Sequence, residues 1–103
     1  MKARLTPEGE WAGHKFRLIL FVAGNERNSM LARENLNRIC SDHLNDNYDL
    51  QIVDVFENFD AAVEYDIFLT PALLVVEPQP PVTIIGNLSN TQTVLSIMRI
   101  EER

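Results

Sequence analysis

Few side chains in this sequence could make or break a bond, and their spacing decides what each could do. Cys40 is the one cysteine, so the chain has no internal disulfide and no pair of thiols two residues apart. Thiol chemistry needs an exposed thiolate, commonly at a helix N-terminus. Cys40 instead falls on an apolar helical stripe with Leu36, Ile39 and Leu44, well past the helix start, and reads as a packing residue. Ser29 closes the turn "AGNERNS" and could serve thiol-free or glutathione-dependent chemistry, but capping the helix that follows is its ordinary role there. His14 and His43 have no Cys or His at ligand spacing, and a metal needs three or four convergent ligands. Asp49 and Asp54 could share acid–base work, although strand-end solvation suits both. "AGN" lacks the glycines and the Lys-Ser/Thr of a phosphate loop. No catalytic set, metal site or cofactor site assembles. The residues point to a protein that binds.

The elements that would position these residues follow from hydrophobic period. "FRLILFVA" (Phe16 to Ala23) is nearly continuous apolar, as in a strand covered on both faces. Gly24 and Asn25 break it. A helix capped by Asn28 or Ser29 then runs to "NDN" (Asn45 to Asn47). "YDLQIVDV" (Tyr48 to Val55) is a second strand, and a strand–helix–strand unit makes the pair parallel. "ENFDAAVEYDIFL" (Glu57 to Leu69) reads both ways: Ala61, Ala62, Val63 and Glu64 favour helix, while Tyr65, Ile67 and Phe68 suit a strand. "ALLVV" (Ala72 to Val76) and "VTII" (Val82 to Ile85), joined by "EPQPP", form an antiparallel hairpin. Ser89 with Gln92 matches a capping box for a last helix running to about Glu102. The order β-α-β-α-β-β-α is that of a thioredoxin-like α/β fold in a single domain, residues 16–103, behind a loosely held tail, residues 1–15. Thr70 and Pro71, just before the third strand, are candidates for the cis-proline of such folds.

Size and charge narrow the partners. At 103 residues, 46% of them apolar, the chain can form one small core; about 65% of the unfolded surface can be buried at this length. Fifteen acidic against nine basic residues give a net charge of -6, which disfavours nucleic acid and anionic membranes. No run reaches the length of a membrane span. The first fifteen residues have no apolar signal region, so a cytoplasmic location is expected.

Seven short motifs in order then carry a resemblance: "LFVAGN" (Leu20 to Asn25), "NS" (Asn28, Ser29), "NL" (Asn35, Leu36), "IVDV" (Ile52 to Val55), "TP" (Thr70, Pro71), "PQPPV" (Pro78 to Val82) and "IIGNLSN" (Ile84 to Asn90). The chain resembles the KaiB family of circadian clock proteins from about Phe16 to Arg99. The resemblance implies a regulator without catalysis or cofactor. It would bind the N-terminal ATPase ring of a KaiC-like hexamer, in a clock or a stress response. KaiA, a sensor histidine kinase, or further copies of the chain in a dimer or tetramer are the other implied partners. It also implies a change of fold between a tetramer with a rearranged C-terminal half and a thioredoxin-like monomer that binds KaiC. Two packings differing by a few kcal/mol can coexist. The hairpin strands and the Ser89–Gln92 cap favour the thioredoxin-like packing here. On this reading the partner-binding candidates are Ala23, Gly24, Asn25, Ile52, Val53 and Asp54, and the hinge candidates are Gly86, Asn87, Leu88 and Ser89. The chain departs from the family's pattern in three ways. Asn87 stands where clock proteins carry Asp, Phe59 where a proline is usual, and the lysines and arginines common after the first helix and before "IIG" are missing. Two other readings remain: an interaction module for another signalling protein, and a thioredoxin-like enzyme working through Cys40 or Ser29.

Overall fold

The computed structural model describes residues 16–100. The expected N-terminal tail, with Trp11 and His14, lies outside the described residues. Seven elements follow in chain order: β1 (Phe16–Val22), α1 (Arg27–His43), β2 (Tyr48–Asp54), α2 (Phe59–Glu64), β3 (Ala72–Glu77), β4 (Val82–Ile85) and α3 (Thr91–Met98). This is the expected β-α-β-α-β-β-α order. The four strands form one sheet in the order β2-β1-β3-β4. β1 runs parallel to β2, from Phe16↔Tyr48 to Val22↔Asp54. β3 pairs antiparallel with β1, Phe21 facing Ala72, and β4 pairs antiparallel with β3, Ala72 facing Ile85.

Alternation along the central strand divides the core in two. Leu18, Leu20 and Val22 of β1 pack with Leu73 and Val75 under α1 and α3, where Leu36, Ile39, Cys40, Val94 and Met98 meet them. Ile19 and Phe21 point to the other face, with Val53, Ala72, Leu74, Ala62 and Ile67. The two layers are unequal. Among the described residues, one face carries helices of 17 and eight residues and the other the six residues of α2. Burial of Cys40 within the larger core pushes its thiol up to about 11, away from the reactive thiolate.

The caps differ from expectation. Glu26, not Asn28 or Ser29, caps α1: its carboxylate accepts the Ser29 N–H at 3.0 Å. Ser29 lies inside the first turn, fully buried, and its hydroxyl accepts the Ala23 N–H at 3.0 Å. The longer Glu side chain reaches the orphan amide three residues on, which frees the shorter hydroxyl to hold the preceding loop. Asn90, not Ser89, caps α3 through the Thr93 N–H. That helix stops at Met98 rather than near Glu102, because Arg99 turns left-handed (φ 62) and the last carbonyls are closed by Arg99 and Ile100 N–H groups. The ambiguous segment becomes a helix of one and a half turns. Asn58 caps it, and Asp66, left-handed at φ 58, ends any continuation. Tyr65, Ile67 and Phe68 form no strand.

Candidate docking surface

The strand register gathers nearly every residue singled out by sequence at one end of the sheet. β1 and β2 end there at Val22 and Asp54, β3 begins there at Ala72, and β4 ends there at Ile85. The turn Ala23-Gly24-Asn25, the segment after β2, Thr70–Pro71 and Gly86 to Ser89 therefore share this end with the α1 N-terminus. The Thr70–Pro71 bond is cis, as are Glu77–Pro78 and Gln79–Pro80. The Pro71 carbonyl accepts the Gly86 N–H at 2.9 Å, tying the β3 entry to the β4 exit.

Three polar residues, Asp54, Glu26 and Asn87, set the shape of this end. Asp54 Oδ1 accepts the Gly24 N–H at 3.1 Å and the Phe56 N–H at 3.0 Å, joining the β1–α1 turn to the loop after β2. Gly24 adopts φ +56, and a Cβ there would meet the Phe56 ring at 3.3 Å, so conformation and space both favour glycine. The Glu26 carboxyl is held below its usual range by backbone hydrogen bonds from Asn28 and Ser29. On the far side, Asn87 anchors the hinge candidates to α1. Its carbonyl accepts from Asn35 Nδ2 at 2.8 Å, its Nδ2 donates to Asn28 Oδ1 at 3.3 Å, and its Oδ1 accepts the Ser89 N–H at 3.0 Å. Leu88 adopts φ 62 and drops into the larger core. None of these groups is a nucleophile beside a base. Asp49, exposed and paired with Arg17 across the strands, lies at the opposite end of β2 from Asp54, so the two carboxylates do not meet. Among the described residues no three His, Cys, Asp or Glu side chains come together as metal ligands.

Exposed apolar side chains, not titratable ones, distinguish this region. Phe56, Phe59, Val63, Tyr65, Phe68 and Leu69 all lie open to solvent within fourteen residues; Phe56 and Phe68 are 77% and 85% exposed. Phe59 and Val63, four apart on α2, share a face; Ala62 faces the core. Ile85, half open on the same side of the sheet, adds to them. Monomeric soluble proteins rarely leave such clusters bare, and they mark interaction sites. Of the sequence-selected binding candidates, Ala23, Gly24, Asn25 and Asp54 lie beside this cluster. Ile52 is exposed on the edge strand, facing the α1 side, and Val53 is turned into the α2-side core. The phenylalanines were not selected from sequence. Their signal was the double reading of Glu57 to Leu69, where apolar residues kept neither the strand nor the helix period.

The chain is thus a thioredoxin-like scaffold with no cysteine at the β1–α1 turn and exposed apolar side chains beside it. Residues 19–100 match the KaiB domain family model, and the chain belongs to the KaiB family. It is 42% identical over 78 residues to the circadian clock protein KaiB3 of Synechocystis sp., covering 76% of each chain. It is 44% identical over 78 residues to the circadian clock oscillator protein KaiB of Thermostichus vulcanus, covering 76% of this chain and 72% of that one. Among solved structures, the fold is similar to the N-terminal domain of Synechococcus elongatus SasA, with a TM-score of 0.68 and 20% identity over 99% of both chains. It is also similar to Fasciola hepatica thioredoxin, with a TM-score of 0.70 and 18% identity over 90% of this chain and 86% of that one. No helix among the described residues is long and apolar enough to cross a membrane.

Proposed function

We propose that this chain is a non-catalytic KaiB-type regulator that docks on a KaiC-like hexameric ATPase and biases its phosphorylation or nucleotide state in the cytoplasm. The observation that carries this reading is the row of exposed apolar side chains at the thiol-free end of a thioredoxin-like sheet. Membership of the KaiB family supports it. The docking face comprises Phe59, Val63, Phe68 and Leu69, with the Ala23–Asn25 turn beside them. Asn87 and its neighbours form the hinge of a fold change that sets how much binding-competent monomer exists, against a tetramer of the same chain. Mass photometry of the chain mixed with the purified ATPase, with ADP and with ATP, tests this. A complex is expected in at least one nucleotide state and is weakened ~10-fold or more by Phe59→Ala with Phe68→Ala, as for anchors in a buried interface. No complex in either state overturns it.

A second reading is favoured by charge. Residues 44–98 contain no Lys or Arg, whereas the KaiB resemblance leads to the expectation of basic residues after the first helix and before "IIG". This reading makes the chain a KaiB-like module for another signalling protein, such as a sensor histidine kinase or KaiA. Parallel binding assays against the ATPase and the kinase separate the two.

A further inference from the structure

The docking segment is acidic as well as apolar. Glu57, Asp60, Glu64 and Asp66 are interleaved with the exposed phenylalanines between residues 56 and 69, and all four are exposed. None pairs with a cation among the described residues. Among the described residues, Arg27, Arg33 and Arg38 lie on α1, on the other face of the sheet, together with Glu34 and Asp42, and Arg17 lies at the far end of β1. The exposed apolar side chains of residues 56–69 therefore stand among carboxylates, with no basic residue in their own segment.

Burying those phenylalanines against a partner brings four carboxylates to the rim of the interface. Against a neutral or anionic face they would lose hydration without compensation, and like charges across an interface suppress association. Against lysines and arginines they gain charge-assisted hydrogen bonds and steer the encounter. We propose that the surface this segment recognises is a protein face both cationic and apolar, with basic side chains ringing an aliphatic or aromatic centre. Resting on the docking function above, this specifies the ATPase face: a Lys/Arg-rich collar around exposed apolar residues. A second copy of this chain fits less well. The arginines of α1 are interspersed with Glu34 and Asp42 and accompanied by Met30 as the one exposed large apolar side chain of that helix, and a contact between opposite faces would propagate head to tail rather than close.

Two measurements on the full chain test the proposal. The first is affinity for the purified KaiC-like ATPase at about 50 mM and about 500 mM salt, a range over which the screening length falls several-fold. The variant combines Glu57→Gln, Asp60→Asn, Glu64→Gln and Asp66→Asn; asparagine tolerates the left-handed backbone at position 66. Wild-type binding is expected to weaken ~10-fold or more with salt, and the variant to bind ~10-fold or more weaker at low salt with little salt dependence. Equal or tighter binding by the variant overturns the proposal. The second needs no ATPase: amide-resonance mapping with an amphipathic Lys/Leu helical peptide and with its Glu/Leu counterpart. Shifts confined to residues around 52–69 with the first peptide, and none with the second, are expected. Equal response to both peptides, or shifts centred on α1, overturns it. So does loss of the response because the wild-type chain self-associates through this segment, shown by a Phe59→Ala, Phe68→Ala variant that turns monomeric. If the ATPase does not bind but the peptide result holds, the function proposed above fails while the charge preference of the face stands.

Discussion

Asp54 shows how a residue that could do acid–base chemistry is committed to architecture. One carboxylate oxygen holds two backbone amides, Gly24 and Phe56, across a sequence gap of thirty residues. Hydrogen bonds to a charged acceptor each contribute ~1.5–3 kcal/mol. Asp54→Ala is therefore expected to lower unfolding stability by ~2 kcal/mol in urea titration, with Asp54→Asn, which keeps an acceptor, costing clearly less; equal losses for the two would show that the hydrogen bonds do not matter. Cys40 makes the complementary point. Its thiol is raised to about 11 by burial. A group whose folded-state pKa is raised favours the folded state below its unfolded value and loses that contribution as pH rises through the folded one. In mildly alkaline buffer the native thiol is expected to resist a disulfide reagent, with labelling following global unfolding across a denaturant series. Rapid labelling in the absence of denaturant would reopen a thiol chemistry for the fold.

At the scale of elements, the segment Gly86 to Ser89 links the β-hairpin to α3 and is pinned to α1 by Asn28 and Asn35 through Asn87. Asn87→Asp keeps the acceptor for the Ser89 N–H and removes the donor to Asn28. Sedimentation should then show a changed ratio of monomer to larger species; an unchanged profile would deny this contact a part in the hinge. Gly86 isolates a second contribution. It adopts φ +118, and a Cβ there would meet nothing within 4 Å. Gly86→Ala therefore reports backbone strain without a clash, and thermal unfolding should show a loss of ~1–3 kcal/mol. These elements also show what the sequence could reveal. The strands β1 and β3 were legible as short, nearly continuous apolar runs bounded by turn residues, and the long helix by its apolar stripe. The caps were not: Asn28, Ser29 and Ser89 are all chemically competent, but Ser29 is buried on the Ala23 amide, leaving the α1 cap to Glu26, and Asn90 takes the Thr93 amide at α3. The segment Glu57 to Leu69 was illegible as secondary structure because most of its apolar side chains stand in solvent rather than in the core, so they obey no internal period.

Among the described residues, the sheet is covered thickly by α1 and α3 and thinly by α2, and most of the exposed large apolar residues belong to the α2 segment, residues 56–69. The turn Ala23 to Asn25, the cis Thr70–Pro71 bond and the entry of α1 meet at one end of the sheet without a cysteine. The location of that end was readable from motif order, whereas the surface itself emerged only when the register brought the ends of β1, β2 and β4 together with the start of β3. The most direct measurement is the mass of the species formed when the chain meets a purified KaiC-like ATPase hexamer with ADP or ATP. Up to six copies bound around the ring, with no turnover altered by Cys40→Ser or Ser29→Ala, is the expected result. An ATPase that stays bare in both nucleotide states, or a chemical activity lost with either substitution, would contradict a protein that acts by docking alone.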